Sequence, residues 1–144
     1  MFWYWYFLFN LLIIVVFLRP RKKISYLTGL IALLLMFIVD YAAVKLKLYV
    51  FYGRPSFYNL PLFYLLNGFL LGIIFWGFKP RERWLWLYIP LISLLFTGVE
   101  WLAEMFGAYR HLRWSYGYSF VLNNFALIVV TAIKHYFDDI LFSK

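Results

Sequence analysis

A chain of 144 residues that is 66% hydrophobic, 26% aromatic and only 14% charged lies outside the composition of soluble domains, which average about 45–50% apolar and about 25% charged. The absence of cysteine excludes disulfides, thiolate metal sites and cysteine nucleophiles. The net charge of +8 is spread in short clusters between apolar runs, which fits orientation signals and anionic head groups rather than nucleic acid.

The expected fold class is therefore all-α: one domain over residues 1–144, an integral membrane bundle of about five transmembrane helices. Residues 2–18 form the first expected span. Asn10 is its only strongly polar side chain. No basic region precedes it and no small-residue cleavage site follows it, which argues for a retained span rather than a signal peptide. Trp3, Tyr4, Trp5 and Tyr6 are expected at a membrane interface. The second span, 24–44, is interrupted only by Asp40. Gly29, Ala32, Met36, Asp40 and Ala43 follow helical spacing, and the small residues among them suggest close helix packing. A short loop follows, with Lys45, Lys47, Arg54 and a turn at Gly53 to Pro55.

The third span is 59–78, with Asn59 as N-cap and Pro61 in the first turn. Its Gly68 and Gly72 form a small-residue packing pair. The fourth is 84–106, where Pro90 is expected to kink the helix and Gly107 to close it. An aromatic loop carrying Arg110, His111, Arg113 and Trp114 leads to the fifth span, 118–136, with Asn123 and Asn124 near its start. A loose echo links spans two and three with four and five: an acid, an aromatic-basic loop, then a helix containing Asn.

The fourth span carries the most telling pattern. Ser93, Thr97, Glu100 and Glu104 are spaced four, three and four apart, which places them on one helix face. Lipid cannot satisfy such a stripe, so it should face protein or a cavity. Asp40 and Glu100 each lie sixteen positions past the expected start of their spans, or roughly 24 Å at helical rise. In a core about 30 Å thick both sit below the same surface. Asn67, Asn123 and Asn124 fall in the same layer, with Glu104 nearer the interface.

Basic residues fix the expected orientation. Arg19, Arg21, Lys22, Lys23, Lys79, Arg81, Arg83, Lys134 and Lys144 fall on one side. Lys45, Lys47, Arg54, Arg110 and Arg113 fall on the other. The positive-inside rule puts the N-terminus outside and the C-terminus in the cytoplasm of a plasma-membrane protein.

The bland reading makes Asp40 and Glu100 packing devices, paired with Lys45, Lys47, Arg110 or Arg113 or bonded to the asparagines. An ion or proton path is another reading. The favoured reading is a binding site for a lipid head group or small amphipathic ligand in the outer half of the membrane. Asp40 and Glu100 would form its base and Asn67, Asn123 and Asn124 would orient the ligand. Trp101 and Trp114 would line the mouth, with Glu104 and His111 nearby. One alternative is an enzyme acting on a lipid or isoprenoid, with Asp40 and Glu100 as carboxyl acid and base. A second is a structural or partner-binding subunit. No metal site and no cofactor is expected. The expected partners are membrane lipids and the amphipathic ligand, with a homo-oligomer as an open option.

Asp40 followed by Lys45 to Tyr49, Glu100 with Trp101, and Trp114 to Tyr116 resemble a family of small uncharacterised polytopic membrane proteins of spore-forming Gram-positive bacteria. That resemblance implies a membrane bundle and no particular activity. A fainter one is to the small membrane lycopene cyclases, which also place acids in short helical bundles. Their proline-plus-paired-acid motif is absent, the comparable stretch reading Leu60, Pro61, Leu62, Phe63.

Overall fold

The computed structural model describes residues 1–19 and 25–142. Arg21, Lys22, Lys23 and Lys144, which enter the expected charge asymmetry, lie outside them. The chain is mostly helical. The described residues form five α-helices: α1 (Phe2–Ile13, continued by a π-helical segment, Ile14–Leu18), α2 (Tyr26–Lys45), α3 (Leu62–Gly77), α4 (Leu85–Met105, preceded by a 3-10 turn, Glu82–Trp84) and α5 (Tyr116–Phe142). Among the described residues three stretches are long and apolar enough to cross a membrane: Tyr26–Lys45, Glu82–Met105 and Tyr116–Ile140. The other two apolar helices, Phe2–Leu18 and Leu62–Gly77, are shorter. At helical rise α3 is roughly 24 Å long, less than a hydrocarbon core of about 30 Å. Leu30, Leu34 and Ile38 on α2, and Leu87, Leu91 and Leu94 on α4, are exposed. These apolar outer faces suit lipid as the surrounding solvent.

Small residues set the contact between α2 and α3. A Cβ added at Gly72 would lie 2.6 Å from the Ala32 Cβ and 2.6 Å from the Thr28 carbonyl oxygen. One at Gly29 would lie 2.8 Å from the Phe69 carbonyl oxygen. The two backbones approach this closely only because those positions lack side chains. Ser25 caps α2 by accepting from the Thr28 N–H at 3.4 Å.

The segments expected as loops contain four short strands. β1 (Tyr49–Phe51) pairs antiparallel with β4 (Tyr109–His111), with Tyr49 opposite His111 and Phe51 opposite Tyr109. β2 (Ser56–Phe57) pairs with β3 (Leu60–Pro61). Tyr58 and Asn59 join this hairpin with φ of 50° and 65°, the backbone of a two-residue primed turn. Asn59 is thus a turn residue, not the cap of α3. That helix starts at Leu62, and asparagine suits the left-handed position.

Helices α2 and α4 end alike. Lys47 donates to the Val44 carbonyl and Leu48 to that of Ala43; Gly107 donates to Glu104 and Ala108 to Ala103. Lys47 and Gly107 are left-handed, with φ of 56° and 67°. This is the Schellman closure, and each copy feeds a strand of the same two-stranded sheet. Asp40, Ala43, Lys47 and Tyr49 therefore match Glu100, Ala103, Gly107 and Tyr109 position for position. The echo in the sequence takes the form of two like helix ends capped by one sheet.

Helix α1 is pinned to that cap. Trp3 is only 5% exposed, and its Nε1–H lies 3.2 Å from both the Tyr52 and Ala108 carbonyl oxygens. This corrects the expectation that it anchors at an interface. The indole N–H finds backbone acceptors in the interior, so the ring can pack there. Tyr4 and Trp5 are exposed.

Candidate functional site

A cavity of about 150 Å³ lies beneath the β1–β4 cap, walled by α1, α2, α3, α4, α5 and both strands. Asp40, Asn67, Glu100, Trp114 and Asn123 all contribute to its lining. The two carboxylates reach it because each sits seven residues before the left-handed residue that ends its helix. The shared sheet brings those two helix ends together.

Asp40 is 7% exposed. Its Oδ1 accepts from the Tyr49 hydroxyl at 2.5 Å and its Oδ2 from the Tyr64 hydroxyl at 2.7 Å. Burial and the neighbouring Asp40 carboxyl push the Tyr49 hydroxyl far above the usual phenol range, so it stays a donor. Glu100 accepts one long hydrogen bond, from Asn123 Nδ2 to Oε1 at 3.5 Å, and the Ser119 side chain is a second polar neighbour. The Glu100 Oε2 is buried and has no hydrogen-bond partner among the described residues. The ion pairs among the described residues are Lys79–Glu82, Lys134–Asp138 and His135–Glu82. Neither Asp40 nor Glu100 joins one. The pairing with Lys45, Lys47, Arg110 or Arg113 offered by the bland reading is not what surrounds them.

Asn67 is 1% exposed and largely committed to the scaffold. Its Oδ1 accepts from Asn10 Nδ2 at 2.7 Å, and its Nδ2 donates to the Trp3 and Phe63 carbonyls at 3.2 and 2.7 Å. Asn10, isolated in the sequence of the first helix, finds its meaning here as the group that ties α1 to α3. Its position as a lone amide in an apolar run was the available signal.

The other candidates lie elsewhere. Asn124 donates to the Phe120 carbonyl of its own helix at 2.8 Å and is not part of the cavity wall. Trp101 is 52% exposed and borders a second, apolar groove. Glu104 accepts from the Tyr116 hydroxyl and from the His111 backbone N–H. The His111 ring meets the Tyr116 ring edge-on at 4.5 Å, and burial holds its imidazole below the usual histidine range, opposed by Glu104. Glu104 and His111 thus form a polar cluster of their own on the outer side of β4.

The apolar groove, of about 460 Å³, is bordered by α1, α3 and α4. It shares Tyr6, Leu71, Phe75, Phe96 and Val99 with the polar cavity. The two spaces therefore abut across one set of side chains. Tyr64 and Tyr109 were not singled out from the sequence, and neither Tyr6 nor Tyr49 was assigned to the site, because in a chain with 13 tyrosines none is distinguished as a cavity residue before packing.

Compared with family models, curated proteins and solved structures, the chain matches none.

Proposed function

We propose that this chain is a five-span membrane bundle that binds a small amphipathic ligand, with the head group in the cavity between Asp40 and Glu100 and the alkyl chain in the adjoining groove. One observation carries the reading. A small acid-lined cavity, with no basic partner among the described residues, abuts an apolar groove across shared walls. A compartment of about 150 Å³ is below the roughly 300–1,000 Å³ of pockets for drug-sized ligands. It suits a head group, and the groove supplies room for a chain.

Titration calorimetry in maltoside micelles tests this, using octyl-chain compounds with cationic, neutral, zwitterionic and anionic heads. At least one is expected to bind saturably, one per protein. Ala126 also lines the cavity, and Ala126→Trp should fill it and abolish that binding while the protein still melts cooperatively. If no compound in the panel binds saturably, the reading fails and the chain is better viewed as a structural subunit.

The same reading places the cavity end of the bundle outside the plasma membrane, with the C-terminus in the cytoplasm. Its support is the asymmetry in the sequence, nine basic residues assigned to the side away from the cap against the five, Lys45, Lys47, Arg54, Arg110 and Arg113, assigned to the cap side. The chain has no cysteine, so single cysteines report cleanly. Cysteine at Arg54 or His111 should react with a membrane-impermeant maleimide on intact cells, and cysteine at Arg81 should not. The reverse pattern would invert the topology.

A further inference from the structure

The chemistry of the cavity narrows the occupant further. Among the described residues no Lys, Arg or His contributes to its lining, which does include two carboxylates. A phosphate or carboxylate head group there would lack a cationic partner and would face like charge, a costly arrangement away from water. The two tyrosine hydroxyls on Asp40 hold the carboxylate in place without cancelling its charge. Glu100 keeps one buried oxygen free of any partner among the described residues. A cation would complement both acids.

The walls point the same way. Trp3, Tyr49, Phe51, Tyr64, Tyr109 and Trp114 all line the cavity. They form a connected aromatic cluster, with ring centroids 4.2 Å apart for Phe51 and Tyr64, 4.7 Å for Trp3 and Tyr64 and 5.4 Å for Tyr49 and Tyr109. Aromatic faces attract cations through the ring quadrupole, most strongly where water is excluded, and such boxes suit alkylated ammonium groups. Size agrees as well: an apolar cavity of about 150 Å³ accepts a benzene-sized group, the scale of a trimethylammonium.

We propose that the head group held between Asp40 and Glu100 is an alkylated ammonium cation, carried on a single alkyl chain that lies in the Leu71, Phe75 and Phe96 groove, and that phosphate-bearing lipid heads are not the occupant. The proposal rests on the amphipath reading above and names its ligand class. Each acid contributes charge, the rings contribute contact with the alkyl groups on nitrogen, and Glu100 Oε2 offers an acceptor to an ammonium that keeps one N–H.

The test compares four octyl compounds by calorimetry in maltoside micelles at pH 7. They carry a trimethylammonium head, a protonated dimethylamine head, a neutral tert-butyl head of the same shape as the first, and a phosphocholine head. Both cations are expected to bind about ten-fold or more tightly than the neutral isostere, and phosphocholine is expected to be as weak as the isostere. Asp40→Asn and Glu100→Gln should each weaken binding of both cations about ten-fold, to the level of the neutral isostere. The isostere binding as tightly as the trimethylammonium compound would overturn the cation assignment yet leave the amphipath site standing. Phosphocholine binding as tightly as trimethylammonium would likewise overturn it. Saturable binding by none of the four would remove the site itself.

Discussion

Gly72→Leu is expected to lower the stability of the detergent-solubilised protein by about 3 kcal/mol, at the upper end of the range for overpacking. The reason is what a side chain there would meet. Even the first carbon falls 2.6 Å from the Ala32 Cβ and 2.6 Å from the Thr28 carbonyl oxygen. One is the only side-chain carbon of its residue and the other is backbone, so neither can rotate away. Helix α2 must move as a body, and that loosens the wall carrying Asp40. Gly98→Ala is the matched control. A Cβ there meets nothing within 4 Å, so replacing a helical glycine should be neutral or stabilise by up to about 1 kcal/mol. Thermal melts of both variants check this. A Gly72→Leu protein that melts with the wild type would mean that α2 and α3 do not pack as described.

The second large effect separates charge from hydrogen bonding at Asp40. Asp40→Leu is expected to destabilise by about 2 kcal/mol, because it strands the Tyr49 and Tyr64 hydroxyls that Asp40 accepts from. A buried donor left without an acceptor costs about 1–3 kcal/mol. Loss of a buried charge offsets part of this. Asp40→Asn should behave oppositely. Its carbonyl still accepts from one tyrosine, its amide can donate to the other hydroxyl oxygen, and the charge is gone. The fold should melt at or above the wild-type temperature while cation binding is lost. A structural ion pair would instead predict a loss of about 3–5 kcal/mol for either change, yet no ion pair to Asp40 exists among the described residues. Equal destabilisation by Asn and Leu would mean that the charge itself supports the fold.

Local pattern made much of this legible. Runs of apolar residues, their lengths and the breaks at Pro and Gly follow from the chain alone, so the five helices fall close to where they are expected. Gly107 closes α4 because glycine adopts positive φ without cost. The helical spacing of Gly29, Ala32 and Met36 marked the face of α2 that meets α3, because helix faces are set by a fixed turn per residue. Rise per residue and expected helix starts put Asp40, Asn67, Glu100, Asn123 and Asn124 in one layer, and all of these but Asn124 line one cavity.

Other features needed the folded chain. The strands β1 and β4 pair across sixty positions, and three-residue strands carry no period to announce them. Trp3 looked like an interfacial residue because composition cannot show that Tyr52 and Ala108 would supply acceptors for its indole. Asn123 and Asn124 are neighbours in sequence, but about 100° apart around α5, so the exact rotation of the helix decided which reached Glu100. Glu104 shares a stripe with Glu100 yet turns to Tyr116 and His111, since it lies one turn nearer the helix end, where β4 begins. What the sequence determined by itself was the apolar helical character of the chain and where its helices lie, both consequences of hydropathy and local geometry. Which polar groups share a cavity, and that no basic side chain among the described residues joins them there, was decided by the β1–β4 cap and the close α2–α3 crossing. Only packing sets the direction of a side chain and the identity of its neighbours.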